Sequence, residues 1–240
     1  MLNQNRNNCG WTTGWSQHNE YSDTQLTCPR DGLQFLEHVV VLPGTLFALE
    51  LLLQEPRIDV GMITELVLND VGAAIHVLSR VGREYSWTPG VPDRMAECLV
   101  ALDLSDLLHS LHCRTILERS QHAAVAAVWE HCVAVASYAS MIAEATGDVS
   151  AEDAYLAGLL DDRGAIAAVL GWPRYNGKRL GAGEILAAES MLPGAVLPAF
   201  DQVCESQRPK RWKYILDTAH QLAGPQPASM PPACLDRHVV

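Results

Sequence analysis

The sequence has few positive charges for its length. Among 240 residues, 17 are Lys or Arg and 28 are Asp or Glu, which gives a formal net charge of −11. Proteins that bind nucleic acids or anionic membrane surfaces through electrostatic attraction usually carry the opposite sign. The composition therefore favours a protein that binds other proteins or small molecules, and it predicts neither a nucleic-acid partner nor a membrane.

Long apolar runs and export signals are also lacking. The longest apolar stretch, residues 39–53, is interrupted by Pro43, Gly44 and Glu50, whereas a spanning helix needs about 18 consecutive apolar residues. Residues 1–20 contain no apolar segment of the kind that signal peptides carry. We therefore expect no transmembrane segment and a cytoplasmic location.

Paired cysteine motifs are missing as well. The seven cysteines are an odd number, and no two of them form a C-x-x-C pair. Cys98, Cys113 and Cys132 fall inside helical patterns beside aliphatic residues, where a reduced cysteine acts as a small hydrophobe. This usage fits a reducing cytoplasm better than a disulfide framework.

Strand-like alternation is almost absent, and helical periodicity extends through nearly the whole chain. The chain is 48% hydrophobic, which is enough to bury a core. Side chains that can cap helix N-termini precede several of the helical patterns: Asp59, Asp70, Ser105 and Ser150. The predicted helices cover residues 45–53, 59–67, 70–82, 92–102, 105–116, 120–146, 150–160, 165–170, 182–191, 197–203 and 213–222.

These patterns predict an all-α fold of about ten helices. A polar extension, residues 1–30, precedes a helical body at residues 31–223, and a tail with four prolines follows at residues 224–240. Within the body we expect an N-terminal helical subdomain, about residues 42–117, packed on a helical bundle at residues 120–222.

The order of several short segments carries a family resemblance. Leu42-Pro43 opens an apolar helix, and the sequences NDVGAAIHVL and WEHCVAVA follow at residues 69–78 and 129–136. The sequence AGLLDDRG at residues 157–164 is the most specific segment, and it is similar to the family's A-G-L-L-H-D-I-G. Together these segments resemble the HDOD family, the HD-related output domain of bacterial signalling proteins. The resemblance covers about residues 42–222 and implies an HDOD-like domain with a degenerate HD-type bundle.

The resemblance also implies where a metal would lie. HD hydrolases hold a divalent ion with a His, a His-Asp pair and a later Asp, and the ion activates water for phosphate-ester hydrolysis. Here His131 matches the first His, Asp161 replaces the His of the pair, and Asp162 matches its Asp. His220 stands nearest the later Asp position. We therefore expect no catalytic residue, no metal and no other cofactor; any metal bound would use His131, Asp161, Asp162 and His220.

The resemblance implies a non-catalytic bacterial signal-transduction or regulatory module that acts through protein–protein binding, with its partner and its oligomeric state undetermined. One alternative is a divergent metal-dependent HD-type phosphohydrolase. A second is a module that binds a nucleotide or phosphorylated metabolite through Lys210, Arg211 and Lys213, with Trp212 available for stacking. For this basic segment we prefer a solvated loop between helices.

Two other patterns carry little functional signal. His109 and His112 have the i,i+3 spacing that places both on one helix face. Two ligands without a third make a weak metal site, so we interpret them as the polar edge of a packed face. The glycines of residues 171–183 do not match the spacing of a phosphate loop or of a dinucleotide fingerprint.

Overall fold

The protein is all α-helical wherever its structure, a computed structural model, describes it. The described residues are 36, 39–85, 94–112, 119–170, 179–188, 191–200 and 209–225, without the side chains of 119–121. The predicted extension at residues 1–30 and most of the predicted tail lie outside this set. Ten α-helices and one 3₁₀ helix are present in the described part: α1 Pro43–Gln54, α2 Val60–Leu68, α3 Val71–Tyr85, α4 Met95–Ala101, α5 Leu104–His112, α6 Arg119–Thr146, α7 Ala151–Leu160, α8 Ala165–Val169, α9 Ala182–Ala188, the 3₁₀ helix Leu197–Ala199 and α10 Lys210–Ala223.

Local caps determine where several helices begin and end. Asp59 accepts hydrogen bonds from the backbone N–H groups of Gly61 and Met62 at the start of α2, as the sequence predicts. Ser150 accepts from the backbone N–H of Asp153 at 3.0 Å and donates to the Asp153 carboxylate at 2.6 Å. The two side chains form a capping box for α7.

One predicted cap is wrong. Ser105 lies inside α5, and the carboxylate of Asp103 accepts the backbone N–H groups of Ser105 and Asp106 at 2.8 and 3.0 Å. Asp and Ser are comparable N-cap residues, so the sequence pattern alone did not distinguish Asp103 from Ser105, two positions later, as the cap of α5. The predicted helix at residues 197–203 is a 3₁₀ turn over Leu197–Ala199 in the described part.

The buried carboxylate of Asp70 joins the N-terminal helices to the bundle. It accepts hydrogen bonds from Leu42 N at 2.8 Å, from Ala73 N at 3.1 Å and from Trp129 Nε1 at 2.9 Å. Asp70 is fully inaccessible to solvent, and burial raises the pKa of its carboxyl although these donors oppose the shift. The start of α1, the start of α3 and the middle of α6 therefore meet at one side chain.

The long helix α6 is the centre of the bundle. It packs along α7 and α10 and also contacts α3 and α8. Gly158 of α7 lies so close to α6 that an added Cβ would come within 2.7 Å of the Ala136 Cα. Small residues on both helices therefore permit close packing of their backbones. This packing brings the end of α7 beside the middle of α6.

Helix α6 is also long and apolar enough to cross a membrane by length and composition alone. Within His122–Thr146, the most apolar 18 consecutive residues have a mean hydropathy of 1.3, and 44% of them are buried inside the protein. The bent pair Val60–Leu68 and Val71–Tyr85 passes the same test only if both helices count as one span. The core helix of a globular fold meets these criteria as well, and the packing of α6 on α7 and α10 is of that kind.

Candidate functional site

Three of the four residues at the HD-type positions meet between α6, α7 and α10. His131 lies on α6, Asp161 follows the last residue of α7, and His220 lies in the last turn of α10. The His131 and His220 ring centroids are 5.6 Å apart with an interplanar angle of 36°. All three residues are at least nine-tenths buried. The sequence therefore located a real polar cluster in the core.

His220 is held by the end of α7. Its Nε2 lies 3.0 Å from the backbone oxygen of Asp161 and 3.4 Å from the Asp161 carboxylate. A carbonyl oxygen only accepts hydrogen bonds, so Nε2 of His220 carries the proton that it donates. His131 Nε2, in contrast, is buried and has no hydrogen-bond partner in the described part of the chain.

Asp162 forms hydrogen bonds with the backbone at the starts of two neighbouring helices. Its Oδ2 accepts the backbone N–H of Ile166 at 2.8 Å, and its Oδ1 accepts that of Ala182 at 2.9 Å. Gly181 lets Oδ1 approach, because a Cβ at this position would lie 2.4 Å from it. Asp162 thus joins the start of α8 to the start of α9, and its hydrogen bond with Ala182 spans twenty residues of the chain.

Burial dominates the electrostatics of Asp162. Its side chain is completely inaccessible, and desolvation raises the pKa of its carboxyl to about 7. The backbone N–H groups of Ile166, Ala182 and Gly164 oppose this shift because they stabilise the charged form.

The pKa of the neighbouring Cys132 thiol is also shifted. Burial, and to a smaller extent the charges of Asp162 and Asp161, raise it well above its ordinary value. Cys132 is therefore an inert, neutral core residue.

The residues at the HD-type positions do not fit a bound metal ion. Both carboxylate oxygens of Asp162 accept backbone N–H groups, so the starts of α8 and α9 fix the position of this side chain. His220 directs its Nε2 proton at a backbone oxygen. Across the residues that the structure describes, no group of three or more His, Cys, Asp or Glu side chains is placed to hold a metal ion.

An ion pair that the sequence did not reveal closes the outer side of the cluster. Arg163 has a left-handed backbone with φ of 45°, and its guanidinium lies 2.8 Å from the Asp217 carboxylate of α10. Lys213 contacts the same carboxylate at 2.8 Å. Partial burial alone would raise the pKa of Asp217, but Lys213 and Arg163 together hold it below its ordinary value. The only sequence signal was the position of Asp217 one turn before His220.

The basic segment is a helix start, which corrects our preference for a loop. Lys210, Arg211 and Lys213 occupy the first turn of α10 and are exposed. Trp212 is only 1% exposed and cannot stack on a ligand from solution, as the nucleotide alternative supposed. Arg208 and residues 171–178 of the glycine-containing segment lie outside the described residues.

The histidine pair of α5 also has a partner outside its own helix. His112 Nε2 lies 2.8 Å from the Glu50 carboxylate of α1. Both side chains are about two-fifths exposed, so the contact is a surface ion pair when His112 is protonated, and such pairs contribute little to stability. It joins α5 to α1 at the surface.

Comparison with known proteins agrees with this architecture. The model of the HDOD domain matches residues 39–180, which is more than half of the chain. The chain belongs to the HDOD family. The match includes His131 and the Asp161-Asp162 pair of this HDOD protein but ends before α10 and His220. The outer boundaries at residues 31 and 223 and the division into subdomains stay predictions.

Solved structures show the same fold. The HDOD protein is similar to a crystal structure of the MmoQ response regulator from Methylococcus capsulatus str. Bath, with a TM-score of 0.62 and 17% identity over 78% of this chain and 86% of that chain. A second MmoQ structure, of a fragment from residue 20 to residue 298, gives a TM-score of 0.56 and 17% identity over 78% of this chain and 84% of that one. No curated protein matches the sequence.

The pKa of His131 provides a direct test of the cluster. Burial lowers it below the ordinary 6.5, and the positive charges of His220 and Arg163 act in the same direction. Because the folded pKa is below the unfolded one, the stabilising contribution of neutral His131 is complete above about pH 6.5 and is lost as the pH falls. NMR titration of the imidazole signals should therefore give a pKa below 6.5.

A matched variant separates the effect of His220 on the pKa of His131 from that of burial. His220→Phe keeps an aromatic ring but removes the second imidazole, so the pKa of His131 should rise towards 6.5 while burial keeps it below that value. A pKa for His131 at or above 6.5 in the wild-type protein would contradict the buried geometry.

Proposed function

We propose that this HDOD protein is a non-catalytic regulatory module of bacterial signal transduction that acts in the cytoplasm by binding another protein. The observation that carries the proposal is the orientation of Asp162, the one residue that retains the HD identity of the His-Asp pair. Its two oxygens accept the N–H groups of Ile166 and Ala182. A carboxylate used in this way holds two helix starts together, and no group of three metal-ligating side chains surrounds it in the described part of the chain.

The family and fold are consistent with this role. The chain belongs to the HDOD family, whose name denotes an output domain, and its fold is similar to that of a protein named a response regulator. The net charge of −11 favours protein or small-molecule partners over nucleic acids and anionic membranes. We place the partner among signalling or regulatory proteins.

Hydrolysis of a model phosphodiester tests the absence of catalysis. The purified protein, supplied in turn with Mn²⁺, Mg²⁺, Zn²⁺ and Fe²⁺, should hydrolyse bis(p-nitrophenyl) phosphate no faster than its His131→Ala variant. Metal-dependent hydrolysis that this variant abolishes would establish the phosphohydrolase alternative instead. Metal content after purification without chelator should be near zero per chain.

Binding experiments test the remaining part of the proposal. A partner identified by crosslinking in cells should bind the purified chain saturably. Binding should leave both proteins without covalent modification. A panel of nucleotides should not raise the melting temperature, because a ligand that binds only the folded state would raise it. A rise that Lys210→Glu removes would favour the phosphorylated-metabolite alternative over protein binding.

A further inference from the structure

A groove of roughly 760 Å³ opens on the surface between α1 and α5. Its apolar lining comes from Leu53, Ile58, Leu104 and Leu108. Ile58 is 47% exposed, so an apolar side chain from another molecule could reach it and remove it from water. The groove is distant in sequence from every residue at the HD-type positions, and α1 and α5 pack on each other on the N-terminal side of the fold.

Acidic side chains border this groove. Glu50 and Asp103 both line it, and no Lys or Arg is among its lining residues. Beside it, Phe47 and Leu51 of α1 are 62% and 49% exposed. They lie one turn apart on one helix face and adjacent to Glu50. The surface is therefore apolar with an acidic border, and we call these residues of α1, α5 and Ile58 the acidic groove.

The start of α10 presents the opposite chemistry. Tyr214 is 58% exposed, and it lies one turn after Lys210 and Arg211, both of which are exposed. Neither cation forms an ion pair with a described residue, unlike Lys213, which is paired with Asp217. The three side chains share one face of α10 at i, i+1 and i+4. We call Lys210, Arg211 and Tyr214 the basic face.

We propose that the basic face of one copy of this chain docks in the acidic groove of a second copy. Tyr214 supplies a rigid, amphipathic aromatic group of the type that interfaces favour. Lys210 and Arg211 match the carboxylates of Glu50 and Asp103, and complementary charge of this kind sets orientation and register. The inference rests on these two described surfaces and does not depend on the proposed function.

The two surfaces belong to different parts of one molecule. Helix α1 packs on α2 and α5, whereas α10 packs on α6 and α7. A single docking contact therefore leaves one groove and one basic face unused, and these either pair with each other in a closed dimer or receive further copies. Further copies add until a closed ring forms or until the protein concentration limits growth.

Sedimentation of the untagged full-length protein tests self-association first. At low ionic strength the weight-average mass should increase with protein concentration and should exceed that of the monomer. Because Debye screening weakens attraction between exposed charges, raising the salt concentration towards 1 M should return the mass towards that of the monomer.

Two variants then define the interface. Glu50→Lys reverses the charge at the groove, and the double variant Lys210→Glu with Arg211→Glu reverses it at the basic face. Each variant alone should remain monomeric, since it has only one functional surface. An equimolar mixture should associate again, because the intact basic face of the first enters the intact groove of the second, and the two reversed surfaces also carry opposite charges.

Glu144→Lys is the matched control. Glu144 is exposed on α6, outside the groove and the basic face, and its reversal changes the net charge by the same amount as Glu50→Lys. This variant should associate like the wild type. A wild type that stays monomeric at every soluble concentration would overturn the proposal and leave the groove to a different protein. Variants that associate alone as strongly as the wild type does would overturn it equally.

Discussion

Replacing Gly72 with alanine should cost the protein about 3 kcal/mol or more of its free energy of unfolding, or prevent folding. Gly72 lies in the first turn of α3, and an added Cβ would come within 2.1 Å of the Val40 backbone oxygen and 2.7 Å of its carbonyl carbon. Both obstacles are backbone atoms, so no side-chain rotation relieves them. The segment of residues 39–42 would have to move away from α3.

This movement would also disturb the junction at Asp70. Leu42 N donates to the Asp70 carboxylate at 2.8 Å, and a displaced segment would leave a buried acceptor with one donor fewer. Urea denaturation followed by circular dichroism measures the effect. Gly44→Ala is the control, since a Cβ there has no neighbour within 4 Å and alanine is the better helix former by about 1 kcal/mol at interior positions.

Gly44→Ala should therefore leave stability unchanged or slightly increased. A Gly72→Ala protein as stable as the wild type would show that residues 39–42 do not pack across the start of α3.

Removing the Asp162 carboxylate should produce the second large effect. Asp162→Ala leaves the buried backbone N–H groups of Ile166 and Ala182 without their acceptor. Each unsatisfied buried donor costs about 1–3 kcal/mol, so we expect a loss of about 3 kcal/mol at pH 5. The starts of α8 and α9 should become the least protected parts of the bundle in hydrogen exchange.

The size of this loss should depend on pH. The pKa of Asp162 is raised from 3.8 to about 7 by burial, so the folded state holds a proton that the unfolded state has released between these values. The contribution of Asp162 to stability is therefore greatest below about pH 4 and declines as the pH rises to about 7. The stability difference between the wild type and Asp162→Ala should narrow from pH 5 to pH 8.

The comparison cancels pH effects from other groups, such as His131, that both proteins share. Asp148→Ala is the control for a lost carboxylate, because Asp148 is exposed in the turn after α6, and it should change stability by less than about 0.5 kcal/mol. An Asp162→Ala protein that is as stable as this control at pH 5 would contradict the role of Asp162 in joining α8 and α9.

Together these results would show that the residues at the HD-type positions have a structural role in the bundle. His220 donates to the backbone of Asp161, Arg163 binds Asp217 outside the cluster, and Asp162 turns towards α9. Each contact ties the end of α7 to another helix. The residues at the positions of a metal site thus stabilise the bundle, and in our proposal the surface of the protein carries its function.

The sequence by itself determined the fold class, the family and most helix ends. Asp59 and Ser150 cap helices that begin directly after them, and Gly147 with φ of 70° follows the last residue of α6. These features depend on hydrogen bonds and backbone preferences within about four residues, which the sequence displays directly. The AGLLDDRG sequence pointed to the polar cluster through its resemblance to the HDOD family, and Asp161 directly follows the last residue of α7.

Only the tertiary structure decided which way the functional side chains face. The direction of the Asp162 carboxylate depends on the N–H of Ala182, twenty residues later. Trp212 is buried, although its neighbours in the sequence are charged, because α10 packs on α6. The acidic groove likewise exists because α1 meets α5. Periodicity identifies an apolar face but not the helix that covers it, since that choice depends on contacts between residues far apart in the chain.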